Sequence, residues 1–148
     1  MILLDTNVLS ELARPLPHPA VLAWARGVRP SELATTAVTE AELRYGLALL
    51  PAGQRRDALA AAMEALFARL LAGRILPFDR AAAPHYADYV AARRAAGRPV
   101  ATADAMIAAI ARARAVTALV TRNTADFAGC GVTLLDPWQE PPSRSGSD

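Results

Sequence analysis

Short hydrophobic runs alternate with longer amphipathic segments along most of this chain. Each run is bounded by polar or turn-forming residues, which is typical of strands that are buried on both faces of a sheet. Five strands are predicted in this way, at residues 2–5, 33–36, 74–78, 117–121 and 132–136. Helices are predicted between them, at residues 6–14, 19–27, 39–50, 54–73, 80–97 and 101–115. Because strands alternate with helices, we expect an α/β fold in which one short parallel sheet is sandwiched between helices.

The 148 residues are expected to form a single domain over residues 1–138, followed by a disordered tail, 139–148, that is rich in proline, serine and glycine. The single cysteine, Cys130, excludes an intramolecular disulfide. Arginine or glutamate interrupts the longest apolar stretches, so no membrane span is predicted. No basic and apolar leader precedes Asp5, and a cytoplasmic location is therefore expected.

Arginine supplies every basic side chain of the sequence, and the net charge is only +2. A GC-rich genome is the simpler explanation, since alanine, proline and glycine are also frequent. The absence of lysine still has chemical consequences. A Walker A loop and a Schiff-base enzyme both need a lysine, so the sequence excludes them. Arginine, in contrast, suits phosphate ligands, because its planar guanidinium group binds oxygens in pairs.

Acidic and amide side chains are predicted to meet at one edge of the sheet. Ligands bind outside the carboxyl ends of parallel strands, and Asp5 ends the first strand. The N-termini of the helices lie at the same edge, because helices run antiparallel to the strands. Glu42 is predicted in the first turn of the helix after the second strand, and Asp104 in the first turn of the helix at 101–115. Asn123 and Asp126 directly follow the fourth strand.

Each of these acids also has a purely structural interpretation. Asp5 is a favoured helix N-cap, and Thr39 with Glu42 fits the spacing of a capping box. Asp104 would complement a helix dipole, and Asp126 suits a turn. Together, however, like charges at one edge disfavour ionisation unless a cation is present. Their hard oxygen ligands suit Mg²⁺ or Mn²⁺, which points to metal-assisted phosphoryl chemistry.

Six motifs occur in a fixed order over residues 1–138: MILLDTNVLSE, AELRYG, GRILPFD, ADAMIAA, VTRNTADF and LLDPW. In this ordered set the sequence resembles the PIN-domain nucleases, specifically the VapC toxins of type II toxin–antitoxin systems and their FitB-like branch. The resemblance implies a Mg²⁺- or Mn²⁺-dependent endoribonuclease that hydrolyses RNA phosphodiester bonds. It also implies a homodimer that a VapB-like, DNA-binding antitoxin neutralises.

The resemblance further implies roles for individual residues. Asp5, Glu42 and Asp104 correspond to the acids that bind the metal and carry catalysis. Thr6 and Asn7 are implied to order the pocket by hydrogen bonding.

A fourth acid often follows the fourth strand in this family, but here Asn123 stands at that position and Asp126 comes three residues later. Either residue could complete the site. Spacing favours Asn123 as the residue nearest the pocket, bound through water, with Asp126 at its margin. Thr121, which ends the predicted strand, is expected to support the site.

Several arginines are candidate contacts for RNA phosphates. Arg44 and Arg122 flank the acids in the sequence, while Arg93, Arg94 and Arg98 precede Asp104. For these last three, a solvated basic face is an equal alternative.

Two other functions remain compatible with parts of the sequence. A phosphatase of the haloacid dehalogenase type would use the aspartate of the first strand as nucleophile, but it needs a second aspartate where Asn7 stands, and usually a lysine. A non-catalytic nucleic-acid-binding module would use the same pocket or the arginines. RNA cleavage with and without EDTA distinguishes such a module from a nuclease.

Overall fold

The computed structural model describes residues 1–139, which form a sheet of five strands and the helices around it. The strands are β1 (Ile2–Leu4), β2 (Leu33–Thr36), β3 (Ile75–Leu76), β4 (Ala118–Val120) and β5 (Leu134–Leu135). The helices are α1 (Thr6–Leu12), α2 (Pro19–Arg26), α3 (Ala37–Ala48), α4 (Gln54–Ala65), α5 (Ala82–Ala95) and α6 (Thr102–Ala113). The predicted tail beyond Gln139 lies outside the described residues.

All neighbouring strands are parallel, and their order across the sheet is β3-β2-β1-β4-β5. β1 therefore lies in the middle. Leu3 of this strand is in register with Ala34 on one side and Leu119 on the other. The predicted α/β class with a parallel sheet between helices is confirmed.

Side chains of the three central strands alternate between two hydrophobic clusters, one on each face of the sheet. The first cluster contains Leu3, Ala34 and Leu119 and packs mainly on α5 and α6. The second contains Leu4, Leu33 and Val120 and packs on α1 to α4. Burial on both faces explains why the strands have continuous hydrophobic sequences. None of the helices in residues 1–139 has the length and apolar character to span a lipid bilayer.

Several predicted helix boundaries are wrong, most of them by one or two residues, such as those of α5, which was predicted at 80–97. The helix predicted at 54–73 ends at Ala65, and a π-helical turn, Leu66–Leu70, follows it. The helix predicted from Thr39 begins at Ala37, because Thr36 is its N-cap: the Thr36 hydroxyl accepts a hydrogen bond from the Thr39 N–H at 3.0 Å. This earlier start changes the position of Glu42 within the helix.

Candidate active site

The candidate site lies at the carboxyl edge of the three central strands. Asp5 and Thr121 directly follow β1 and β4, whose register pairs Leu4 with Val120. The Asp5 N–H continues this ladder and donates to the Val120 carbonyl at 2.9 Å. Asp5 is only 4% exposed, and Thr121 is fully buried. The edge of the sheet thus places a buried carboxylate beside a buried hydroxyl.

Asp5 binds two donors with its two carboxylate oxygens. Oδ1 accepts from the Thr6 N–H at 2.8 Å, which makes Asp5 the N-cap of α1. Oδ2 accepts from the Thr121 hydroxyl at 2.7 Å. The two interpretations of Asp5 are therefore compatible, because one carboxylate both caps α1 and belongs to the candidate site.

A set of polar contacts joins the start of α1 to the loop after β4. The Thr121 hydroxyl oxygen accepts from Asn7 Nδ2 at 3.5 Å and from the Asn123 N–H at 3.1 Å. Asn7 Oδ1 accepts from the Arg122 N–H at 3.3 Å. Asn7 and Thr121 thus lie close to Asp5, and they link the two segments that carry the site.

Glu42 is in the second turn of α3, not in the first turn as predicted, and the predicted capping box is wrong. Thr36 and not Thr39 caps this helix, since Thr36 has the extended backbone of a strand end. Thr39 is buried instead, with its hydroxyl oxygen 3.2 Å from that of Thr6. The Thr6 hydroxyl donates to Glu42 Oε1 at 2.7 Å. Because Thr6 has one hydroxyl proton, Thr39 is the donor in the contact between the two threonines.

Asp104 lies in the first turn of α6, as predicted, and is half-buried. Burial, together with the smaller effects of the charges on Asp5, Asp126 and Glu42, raises its pKa to about 6. Burial also raises the pKa of Asp5, against the effect of its two hydrogen bonds, and Glu42 and Asp126 add to the increase. The four carboxylates are therefore close enough to repel one another.

Asp126 places a further negative charge near the site. It lies on a short 3₁₀ turn, Thr124–Phe127, and its carboxylate affects the pKa of both Asp5 and Asp104. Asn123 is exposed, and its backbone N–H is bound to Thr121.

The cluster of these four carboxylates has no positive partner in the described part of the chain. None of the ion pairs within residues 1–139 involves Asp5, Glu42, Asp104 or Asp126. As the side chains stand, no three histidine, cysteine, aspartate or glutamate side chains of residues 1–139 form a group that could hold a metal ion.

Two of the predicted RNA contacts bind other protein groups instead. Arg44 forms ion pairs with Glu40 at 3.0 Å and Glu64 at 2.9 Å, and its guanidinium lies over the Phe67 ring. Arg93 donates to backbone carbonyl groups.

The guanidinium groups of the other three arginines form no ion pair within residues 1–139. Arg122 lies over the Trp138 ring, with its guanidinium carbon 5.2 Å from the ring centroid. Arg94 and Arg98 are exposed, and within residues 1–139 their side chains make no hydrogen bond or ion pair. The sequence analysis gave Thr36 no role, and it considered Thr39 only as a helix cap. Both had a local signal, since each is a hydroxyl residue close to the junction of a strand and a helix.

The PIN domain family matches residues 2–129 of this chain. Over 139 residues the chain is 43% identical to the VapC ribonuclease Y4jK of Sinorhizobium fredii, covering 94% of this chain and 99% of the relative. It is 41% identical over 140 residues to toxin FitB of Neisseria gonorrhoeae, covering 95% and 100%. The solved structure of FitAB bound to an IR36 DNA fragment matches with a TM-score of 0.86 at 40% identity, covering 95% of this chain and 98% of that chain. The chain therefore belongs to the PIN-domain family and, within it, to the branch of the VapC and FitB toxins.

Proposed function

We propose that this protein is a Mg²⁺- or Mn²⁺-dependent endoribonuclease that hydrolyses RNA phosphodiester bonds as the toxin of a toxin–antitoxin pair. One observation carries the proposal: four carboxylates that repel one another converge at the carboxyl edge of the sheet, without an arginine paired to them in residues 1–139. The name of the Sinorhizobium relative, a VapC ribonuclease, supports the same reaction.

Asp5, Glu42 and Asp104 are the proposed metal ligands. Their oxygen atoms are of the kind that Mg²⁺ and Mn²⁺ bind, and mutual repulsion favours a cation among them. A bound ion would lower the pKa of a water molecule and stabilise negative charge on the attacked phosphate. The chain itself holds the carboxylates: Thr121 and the Thr6 N–H orient Asp5, and the Thr6 hydroxyl orients the exposed Glu42.

Asp126 is the proposed fourth carboxylate, and Asn123 is proposed to bind through water at the edge of the site. The effect of the Asp126 charge on Asp5 and Asp104 supports this order. A fourth negative charge would increase the attraction for the bound ion or for a second one.

For RNA phosphates, Arg94, Arg98 and Arg122 are the proposed contacts. Their guanidinium groups make no ion pair in the described part of the chain, whereas those of Arg44 and Arg93 are bound to protein groups.

A DNA-binding antitoxin of the VapB type and a second copy of the chain are the proposed partners. The match to FitAB bound to DNA, at 40% identity, supports an antitoxin that binds DNA. We further propose that the protein acts in the cytoplasm, where its RNA substrate would be found.

Cleavage of RNA by the purified chain, with Mg²⁺ and with EDTA, tests the proposed function. Asp5→Asn, Glu42→Gln and Asp104→Asn should each reduce cleavage on the order of 100-fold or more, while the protein stays folded. Glu40→Gln is the matched control, because Glu40 lies on the same helix as Glu42 but pairs with Arg44. RNA that is bound but cleaved under neither condition would indicate a non-catalytic module. Cleavage at wild-type rate by the three site variants, or in EDTA, would refute the metal site.

A further inference from the structure

The turn that carries Asp126, Thr124–Phe127, is short and belongs to no long helix or strand. Two backbone hydrogen bonds form it, from the Asp126 N–H to the Asn123 carbonyl at 3.0 Å and from the Ala128 N–H to the Ala125 carbonyl at 3.3 Å. Phe127 is fully buried and anchors one side of the turn in the core. Contacts from outside the turn add to these two hydrogen bonds and to the Phe127 anchor in fixing its position.

Two side chains of α5 bind the carbonyl groups of this turn. Arg93 Nη1 donates to the Ala125 carbonyl at 3.3 Å and to the Ala128 carbonyl at 3.1 Å. The Tyr89 hydroxyl lies 3.2 Å from the carbonyl oxygens of Asp126 and Ala128, so its one proton is shared between them. The Arg93 guanidinium also lies over the Tyr89 ring, 5.9 Å from its centroid.

The Arg93 guanidinium group binds protein groups through Nε and Nη1, whereas its Nη2 makes no hydrogen bond within residues 1–139. Its Nε donates to the Arg98 carbonyl at 2.6 Å, just beyond the end of α5. Its Nη1 binds the turn, and Tyr89, which is 8% exposed, covers one face of the group. The neighbouring Arg94, in contrast, is exposed, and its side chain makes no hydrogen bond or ion pair within residues 1–139.

We propose that Arg93 and Tyr89 are positioning residues, which hold the turn so that Asp126 faces Asp5 and Asp104. This inference rests on the proposed function, because it takes Asp126 as a carboxylate of the metal site. Neither Arg93 nor Tyr89 touches the ion or the RNA in this arrangement. For Arg93, this role replaces the RNA contact that the sequence suggested.

Binding of Mn²⁺ to the purified chain without RNA, measured by titration calorimetry, tests the inference. Arg93→Met should weaken Mn²⁺ binding about five-fold, since the turn loses its charge-assisted hydrogen bonds. Asp126→Asn should weaken it at least as much. The double variant should bind Mn²⁺ no more weakly than Asp126→Asn alone, because both substitutions remove the same contribution. Arg56→Met is the control, because Arg56 lies exposed on α4 and makes no hydrogen bond or ion pair within residues 1–139; it should leave Mn²⁺ binding unchanged.

Full additivity of the two substitutions would overturn the inference. So would an Arg93→Met chain that binds Mn²⁺ normally but has lost RNA affinity, which is the behaviour of a phosphate contact. Tyr89→Phe gives an independent test if Arg93→Met does not fold: it removes one hydroxyl, keeps the ring, and should weaken Mn²⁺ binding about two-fold. Normal Mn²⁺ binding by Tyr89→Phe would count against the inference.

The same titrations distinguish this inference from the proposed function. If Asp126→Asn binds Mn²⁺ as the wild type does while Asp104→Asn does not, the positioning role is wrong and the metal site stands. If the wild type itself binds no Mn²⁺, both proposals fail.

Discussion

Asp5 and Asp104 lie in the same cluster of carboxylates, but different surroundings hold them. The Asp5 carboxylate accepts hydrogen bonds from the Thr121 hydroxyl and the Thr6 N–H. The Asp104 carboxylate accepts none within residues 1–139, and its pKa is raised to about 6. Asp104 should therefore be the acid of this cluster whose charge state depends most on pH and on a bound cation.

Replacing Asp104 should stabilise the metal-free protein at neutral pH. Its folded pKa, about 6, lies above the reference value of 3.8, so the folded state binds this proton more tightly than the unfolded chain does. The resulting stabilisation is full below the reference pKa and is lost as the pH rises through the folded pKa. In EDTA at pH 7, we expect Asp104→Asn to melt about 3 °C above the wild type.

At pH 5 the difference between Asp104→Asn and the wild type should be smaller, because the wild-type carboxyl is then largely protonated. Added Mg²⁺ should raise the melting temperature of the wild type at pH 7 and have little effect on the variant. A variant that melts at or below the wild-type temperature at pH 7 in EDTA would show that the Asp104 charge costs no stability.

At the scale of single elements, the start of α3 depends on one hydroxyl group. Thr36 is fully buried, ends β2 and caps α3 through the Thr39 N–H. Thr36→Val keeps the branched shape but removes the acceptor, so it should reduce the free energy of unfolding by about 1 kcal/mol. Urea denaturation measures this change.

The matched control is Thr102→Val, at the first position of α6. Thr102 is exposed, and no side chain caps that helix. Its replacement should change the free energy of unfolding by less than about 0.5 kcal/mol. Equal effects of the two substitutions would mean that the cap on α3 contributes nothing measurable.

The elements differ in how much of them the sequence could predict. β2 has the predicted bounds, Leu33–Thr36. Few other strand boundaries are compatible with a short apolar run that is followed by two threonines. The start of α3 was missed since Thr36 and Thr39 can both cap a helix, and only the extended backbone at Thr36 decides between them. No proline or glycine marks the end of α4 after Ala65 in the sequence. The π-helical turn that follows buries Phe67.

The candidate site was predictable to a similar degree. The parallel direction of the strands and the opposite direction of the helices place Asp5 and Asp104 at one edge, so the sequence was sufficient to expect them there. The partners of Arg93 were not predictable, because a long side chain can reach many groups, and tertiary packing selects the carbonyls that it binds.

For the whole molecule, we expect a homodimer at micromolar concentration. Tyr45 on α3 and Leu49 at its C-cap are 67% and 66% exposed and lie four residues apart, so they form a small apolar surface. Light scattering should give a mass at least twice that of one chain, and Tyr45→Ser with Leu49→Ser should weaken the association about ten-fold or more.

Leu16→Ser is the control for the dimer, because Leu16 is also apolar and is 86% exposed, but lies outside α3. If Leu16→Ser weakens association as much as the double variant does, the contact surface is elsewhere. A wild-type mass of one chain would exclude the dimer itself.

The central position of β1 has a consequence for the time at which the protein becomes active during translation. β1 pairs with β2 on one side, but its other neighbour, β4, does not begin until Ala118. The proposed ligands likewise extend from Asp5 to Asp126 along the chain. A ribosome must therefore synthesise nearly the whole sequence before the two halves of the acidic cluster can meet. A nascent chain that is still attached to its ribosome short of that point has no assembled nuclease site with which to attack the RNA around it.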